Sequence, residues 1–239
     1  MYHKQNLKSD IVLYAVTDRS WLNGDTLYHQ VEQAIRGGAG VIQLREKHLE
    51  RDAFIAEAKE IKKLCHQYRV PLIINDSVEI ALESDADGVH IGQDDTDVPE
   101  ARKRLGPDKI IGVSAHNVAE AVTAWKNGAD YLGSGAVFRT GSKDNVTPLE
   151  HAELKAICRA VPIPVVAIGG INEQNVLELS GTGIDGIAVI SAIFAKPDIE
   201  QAARELHSMA EQIVNKSNCS AGLRNYIANK VRFADREKT

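Results

Sequence analysis

The sequence predicts a single α/β domain folded as an eight-stranded (β/α)8 TIM barrel, and two observations support this prediction. Eight short apolar runs alternate with helix-like segments, and strand–helix alternation with short links is typical of a parallel sheet. The 239 residues also approach the roughly 250 that one such barrel needs. An open doubly wound sheet is the alternative, but no G-x-G-x-x-G follows the first run.

The predicted strands are mostly near-continuous apolar runs, as expected of parallel strands that are buried on both faces. They span residues 11–16, 40–44, 71–74, 88–91, 110–113, 131–133, 164–168 and 186–190.

The segments between these runs favour helices. Residues 198–214 place apolar side chains at 3.6-residue spacing, and Asn117 with Glu120 forms a capping box. The other predicted helices span 25–36, 51–68, 78–83, 98–105, 149–160 and 173–180. We therefore expect a barrel over 11–214, an N-terminal extension over 1–10 and a tail over 215–239. We interpret the tail either as a frayed extension or as a segment that contacts a partner or a second copy of the chain.

Composition excludes several classes of protein. The net charge of −5 argues against a non-specific nucleic-acid binder. No apolar run approaches the roughly 18 residues that span a bilayer, so no membrane segment is predicted and the cytoplasm is the expected location. The three cysteines lie far apart without a C-x-x-C, which disfavours a disulfide framework or a zinc site.

Polar or glycine residues follow every predicted strand, at the end where barrels of this kind carry their active sites. Gln43, Arg45 and Lys47 alternate after the second strand, which places them on one side of an extended chain. An amide, a guanidinium and an ammonium suit a polyanionic ligand with a polar ring. The alternative is a surface ion-pair cluster around Glu46.

Two loops with carboxylates come from adjacent strands. Asn75 and Asp76 follow the third strand, and Asp94 and Asp95 follow the fourth. Carboxylates with open positions for water and phosphate oxygens describe a Mg²⁺ site for a phosphorylated substrate. Alternatively, Asp94 or Asp95 caps the helix that begins near Val98.

The later strands end in residues suited to phosphate. A glycine-rich loop after the sixth strand carries Thr140, Ser142 and Lys143. Gly170 follows the seventh strand and Ser191 the eighth, where barrels commonly bind phosphate at a helix N-terminus, although Gly169 and Gly170 also suit a simple turn.

Two histidines, His90 and His116, are candidate acid–base groups, but a core or rim position is the simpler interpretation of each. His116 is the better functional candidate of the two because it follows Ser114.

These motifs together resemble the thiamine-phosphate synthase family over about residues 11–213. The matching stretches are 43–47, 74–76, 86–93 with Asp95, 111–114, 128–131, 167–171 and 190–191. The resemblance implies condensation of 4-amino-5-hydroxymethyl-2-methylpyrimidine diphosphate with 4-methyl-5-hydroxyethylthiazole phosphate. The products would be thiamine phosphate and pyrophosphate.

The resemblance also implies roles for individual residues. The pyrimidine diphosphate would be held by Gln43, Arg45, Lys47, Asn75, Ser114 and Lys143, of which Ser114 and Lys143 also count as catalytic. Asp76 and Asp95 would ligate Mg²⁺. The thiazole phosphate would be seated by Thr140, Ser142, Gly170, Ile190 and Ser191. The thiazole nitrogen carries no proton, so the reaction needs charge neutralisation and positioning rather than a general base.

The sequence departs from the family pattern in the glycine-rich loop, where Ala136 and Arg139 replace prolines and should make the loop more flexible. A thiazole tautomerase of the same barrel family is the rival enzyme, with a histidine such as His116 as its acid–base group. A non-catalytic phosphate-binding protein is a third interpretation, supported mainly by the basic tail.

Overall fold

The computed structural model describes residues 2–139 and 148–218 of the chain, with the side chains of 215–218 left out. Eight parallel strands close into a barrel in the order β1 to β8, which confirms the predicted fold. Each strand begins and ends within two residues of its predicted run. The strands are β1 Leu13–Val16, β2 Val41–Leu44, β3 Leu72–Asn75, β4 Gly88–Ile91, β5 Ile110–Ser114, β6 Tyr131–Gly135, β7 Val165–Ile168 and β8 Gly186–Val189.

The α-helices are α1 Leu7–Asp10, α2 Leu27–Arg36, α3 Arg51–Gln67, α4 Val78–Glu83, α5 Val98–Leu105, α6 Val118–Lys126, α7 His151–Ala160, α8 Ser191–Phe194 and α9 Ile199–Asn218. Helices α2 to α7 and α9 follow the predicted order, and the short helices α1 and α8 are additional to the prediction. No helix within the described ranges is long and apolar enough to cross a membrane.

The predicted helix over 173–180 is wrong in extent, because only a 3-10 turn forms at Val176–Leu179. Asparagine side chains compete for the backbone donors that would start an α-helix there. The Asn175 Oδ1 accepts a hydrogen bond from the Asn172 N–H (2.9 Å), and the Asn172 Oδ1 accepts one from Gln174 (2.9 Å). Such local bonds favour turns over helix.

Two apolar layers position the mouth of the barrel. The larger layer packs between the sheet and the surrounding helices. The smaller one fills the barrel interior, where Tyr14 and Tyr131 lie among aliphatic side chains. Leu7 and Ile11 belong to this inner layer, so the α1 segment closes the bottom of the barrel. The interior therefore contacts solvent at the opposite end, where the strands finish.

Candidate functional site

The segment after β2 carries two cations near the edge of the mouth. The Arg45 backbone N–H donates to the Thr17 hydroxyl (3.0 Å), and the Arg45 guanidinium lies 3.8 Å from Asp18. Burial opposes ionisation of Asp18, but hydrogen bonding from Ser20 and the charges of Arg45 and Lys47 outweigh it and lower the pKa of that carboxyl. Arg45 and the exposed Lys47 therefore act on the same small region.

Glu46 points away from both of these cations. Its carboxylate accepts a hydrogen bond from Arg19 Nε (2.7 Å), and Arg19 also pairs with Glu57 of α3. Burial, together with the nearby charge of Glu57, raises the pKa of Glu46 to about 7, although Arg19 works against this rise. Glu46 thus joins the segment to α3 through Arg19, while the two cations act on Asp18.

A pair of carboxylates lies between the ends of β3 and β4. The carboxyl group of Asp95 lies close enough to that of Asp76 to affect its ionisation. Partial burial and the neighbouring Asp95 charge raise the pKa of Asp76, while Asn75 and Arg45 partly offset the rise. Asp95 is oriented by the Gly92 N–H, which donates to it (2.6 Å). This site concentrates negative charge, which is the condition that a divalent cation relieves.

Asp97 caps α5, so the expectation that Asp94 or Asp95 does so is wrong. The Asp97 Oδ1 accepts a hydrogen bond from the Glu100 N–H (2.8 Å), and its extended backbone places it immediately before the helix. An N-cap must directly precede the first helical residue, and α5 begins at Val98. Asp95 is therefore left for the pair with Asp76, and Asp94 is exposed.

A hydrogen-bonded chain of five side chains crosses the barrel interior. Gln43 Nε2 donates to the Tyr14 hydroxyl (2.8 Å), which lies 2.7 Å from the Tyr131 hydroxyl. Tyr131 in turn contacts His90 Nδ1 (2.9 Å), and His90 Nε2 lies 3.1 Å from Ser114 Oγ. The chain ends at Ser114, which is predicted to bind substrate. His90 therefore contacts a predicted site residue, although the sequence favours His116 over His90 as a functional histidine.

His90 is a neutral ring in this position. Burial lowers the pKa of His90 to about 4, and the distant charge of Asp95 only partly opposes this. Its strand neighbour is Asn75, and its carbonyl accepts a hydrogen bond from the Asp76 N–H (2.7 Å). His90 thus links the loop that carries Asp76 to Ser114.

His116 lies outside this arrangement, contrary to its ranking as the better candidate. Its ring Nδ1 is 2.9 Å from the Glu120 carboxylate, which also accepts the His116 backbone N–H (2.8 Å). One half of the predicted capping box forms beside it, since the Asn117 Oδ1 accepts the Glu120 N–H (2.9 Å), while the Glu120 carboxylate accepts the N–H of His116 rather than that of Asn117. Half of the His116 side chain is exposed. These contacts assign His116 to the start of α6.

The opposite side of the mouth is built on the two glycines after β7. A Cβ on Gly170 would lie 2.4 Å from the Arg139 carbonyl oxygen, and one on Gly169 would lie 2.4 Å from the Ala136 Cβ. The N–H groups of Val137 and Phe138 donate to the Ile168 and Gly169 carbonyls (2.9 and 3.0 Å). The glycines therefore let residues 136–139 lie directly on the end of β7.

The rest of the predicted phosphate site is only partly within the described residues. Ile190 precedes the short helix α8, and Ser191 is its exposed first residue. Ile190 and Ile168 both pack against the inner core of the barrel. Thr140, Ser142 and Lys143 lie outside the described residues, as does the rest of the glycine-rich loop after Arg139.

The described residues contain no group of three or more histidine, cysteine, aspartate or glutamate side chains that could hold a metal ion. The pair Asp76 and Asp95 is compatible with a metal nonetheless. Mg²⁺ commonly uses one or two carboxylates and completes its shell with water and substrate phosphates. Its donors here are oxygen atoms, which suits a hard cation.

Comparisons with known proteins bear on the family and the fold of the chain. The family model described as Thiamine monophosphate synthase matches residues 13–193. The thiamine-phosphate synthase of Clostridium novyi (strain NT) is 51% identical over 195 residues, which cover 81% of this chain and 96% of that protein. The enzyme of the same name from Clostridium tetani is 50% identical over 204 residues, covering 85% and 97%. The solved thiamine phosphate pyrophosphorylase of Pyrococcus furiosus superimposes with a TM-score of 0.80 at 38% identity, covering 87% and 100%.

Proposed function

Because this chain belongs to the thiamine monophosphate synthase family, we propose that its barrel mouth condenses the pyrimidine diphosphate with the thiazole phosphate. The products are thiamine phosphate and pyrophosphate. The family and the transferase class predicted from the sequence are thereby confirmed. The observation that carries the proposal at the level of chemistry is the carboxylate pair Asp76 and Asp95 beside the cation Arg45.

The first task of the site is to stabilise the departing diphosphate. The bond between the pyrimidine methylene carbon and the diphosphate oxygen breaks, and the bonding electrons leave with pyrophosphate. Arg45 and Lys47 neutralise charge on the diphosphate, and Lys143 is proposed to do the same. Fixed cations of this kind favour the transition state, where charge develops on the leaving group. Asp76 and Asp95 would hold Mg²⁺, which supplies further positive charge to the diphosphate oxygens when bound.

The second task is to hold the two rings together. With Gln43 Nε2 donating to Tyr14, the Gln43 carbonyl oxygen is the group offered to the pyrimidine amino group. Asn75 stands at the adjacent strand end and is proposed to contact the same substrate. Gly170, Ile190 and Ser191 are proposed to seat the thiazole phosphate, together with Thr140 and Ser142. The thiazole nitrogen then bonds to the methylene carbon with its lone pair, and no proton moves.

The test is a reaction of the purified full chain with both substrates, in Mg²⁺ and in excess EDTA. We expect thiamine phosphate and pyrophosphate in equal amounts with Mg²⁺, none when either substrate is omitted, and loss of turnover in EDTA. Undiminished turnover in EDTA would contradict the metal site. Isomerisation of a thiazole carboxylate phosphate without thiamine phosphate formation would instead identify the tautomerase, an outcome that the contacts of His116 with Glu120 disfavour.

Three narrower predictions remain proposals. We place the reaction in the cytoplasm, with small molecules as the only substrates and without nucleic acid. A homo-oligomer would be seen by light scattering of the purified chain. A contribution of Asp94 to the metal shell would be seen as weaker Mg²⁺ binding in Asp94→Ala.

A further inference from the structure

The buried chain from Gln43 to Ser114 has a direction of hydrogen-bond donation. Each hydroxyl in it has one proton, and both tyrosine protons have an acceptor within the chain only if donation runs from Gln43 toward Ser114. Because Gln43 Nε2 donates to Tyr14, the Tyr14 proton is available to Tyr131. Tyr131 can then donate to His90 Nδ1. A neutral imidazole that accepts at Nδ1 carries its proton on Nε2.

The proton on His90 Nε2 determines whether the Ser114 hydroxyl acts as a hydrogen-bond donor or an acceptor toward the mouth. His90 Nε2 lies 3.1 Å from Ser114 Oγ, so the protonated nitrogen donates to that oxygen. The serine hydroxyl proton is then free to point toward a ligand. In the reverse direction Ser114 would donate to His90 and would offer only lone pairs to the mouth. An anionic diphosphate requires a hydrogen-bond donor, which Ser114 provides only if His90 Nε2 donates to Ser114 Oγ.

We propose that His90 is a positioning residue, held by Tyr131 in the Nε2-protonated tautomer so that the Ser114 hydroxyl donates to the substrate diphosphate. This inference rests on the proposed function for the identity of the ligand. It assigns no proton transfer to His90, because its role is to orient a hydrogen bond. Ser114 is fixed from a second side by Gln93, whose amide donates to the Ser114 carbonyl (2.5 Å).

The packing around the two rings holds this geometry. Tyr131 is fully buried, and its ring crosses the interior at the place where a Cβ on Gly112 would lie, 2.1 Å from Cζ. A Cβ on Gly133 would lie 3.0 Å from His90 Cε1. The His90 and Tyr131 ring centroids are 5.5 Å apart. Two glycines on neighbouring strands thus provide the space in which Tyr131 meets His90.

The kinetic test is a double-mutant cycle between His90→Phe and Ser114→Ala. We expect His90→Phe to lower kcat by about 10- to 100-fold, the range for losing a hydrogen bond to a charged group, with KM for the thiazole phosphate nearly unchanged. In the Ser114→Ala background the same change should lower kcat by less than about twofold. Equal losses in both backgrounds, or no loss in either, would overturn the proposal.

Two further variants keep the test decisive if His90→Phe does not fold. His90→Gln retains an N–H donor toward Ser114 and should recover much of the lost kcat. Tyr131→Phe removes the donor to Nδ1 and should lower kcat. His66→Phe is the matched control, since His66 pairs with Asp87 (3.2 Å) at the opposite end of the barrel, and it should leave kcat unchanged. A His90→Gln variant as slow as His90→Phe would contradict the donor role.

A spectroscopic measurement separates this inference from the proposed function. In protein labelled with ¹⁵N-histidine, the ring nitrogens report which of them carries the proton, and the His90 signals are assigned by their loss in His90→Gln. We expect protonation at Nε2 alone, and a mixture of tautomers in Tyr131→Phe. Protonation of His90 at Nδ1 would refute the inference whatever the activity. A chain inactive with both substrates would refute the proposed function, while the spectrum still decides the tautomer.

Discussion

The carboxyl group of Asp95 lies close enough to Asp76 to raise the pKa of Asp76, while Asp97, two residues beyond Asp95, caps α5. Two aspartates of one loop thus have separate tasks. Asp95 adds negative charge next to Asp76, which favours binding of a cation. Asp97 accepts a hydrogen bond from a backbone N–H at the start of the helix.

Asp95→Ala and Asp97→Ala therefore compare the same change two residues apart. Asp95→Ala should lower kcat by about 100-fold or more and abolish the rise in Tm that Mg²⁺ gives the wild type, since a metal centre is worth several kcal/mol to the transition state. Asp97→Ala should keep kcat and the Mg²⁺ effect, and should lower stability by about 1 kcal/mol. Equal loss of activity in both variants would mean that the loop's fold, and not a metal ligand, is responsible.

Glu46 should make stability depend on pH. Folding raises the pKa of Glu46 from 4.5 to about 7, so the protonated carboxyl is the form that favours the folded state. Its contribution is full below pH 4.5 and is lost as the pH rises through about 7. Thermal unfolding should show that the wild type loses stability relative to Glu46→Gln between about pH 5 and about pH 8.

The slope with pH is the quantity to compare, because Glu46→Gln also changes the hydrogen bonding of Arg19 at every pH. Glu32→Gln serves as the control. Tyr68 and Arg36 lower the pKa of Glu32, so its contribution is lost only as the pH falls below the ordinary value of 4.5. Identical slopes for the wild type and Glu46→Gln would show that Glu46 ionises normally.

His116→Gln should leave synthesis of thiamine phosphate within about twofold of the wild type, since His116 contacts Glu120 at the start of α6. Its stability should fall by at most about 1 kcal/mol, because a capping interaction is weakened. Steady-state rates and denaturant unfolding measure the two effects. A loss of turnover comparable with that of Asp95→Ala would return His116 to the active site.

Gly112→Ala should destabilise the protein by about 1–3 kcal/mol, because the added methyl group overlaps the Tyr131 ring. Activity should fall with it, since Tyr131 is displaced from His90. Gly112→Ala combined with Tyr131→Leu removes the overlap and should recover part of the stability lost, without recovering activity. Urea unfolding and kcat measured on the same samples distinguish the two. Normal stability in Gly112→Ala would contradict the packing described.

The sequence predicts the elements well because each leaves a local pattern. The apolar runs locate all eight strands, and Asn117 caps α6 by accepting the Glu120 N–H as predicted. The predicted helix over 173–180 is wrong because asparagine side chains bind the backbone N–H groups there, and hydrophobic periodicity does not reveal such bonds.

The centre of the site could not be predicted in the same way. Tyr14 and Tyr131 are 117 positions apart, and nothing near either residue indicates that they meet. His90 acquires its partners only when five strands close around it. The sequence favours His116 as a functional histidine because it follows Ser114 closely in the chain. In the structure, however, Ser114 contacts His90 of the neighbouring strand β4.

The closure of the barrel also constrains how the chain is assembled during translation. Strand β1 completes its ladder by pairing with β8, the last strand to leave the ribosome. The segment before β1 is likewise fastened to late residues, through Lys4 to Asp130 (3.0 Å) and Lys8 to Asp185 (3.5 Å). Contacts between residues so distant along the chain form slowly. The N-terminal residues therefore cannot make these contacts until the C-terminal part of the barrel has been synthesised. The closed barrel that carries the mouth is therefore complete only after β8 has been synthesised and has paired with β1.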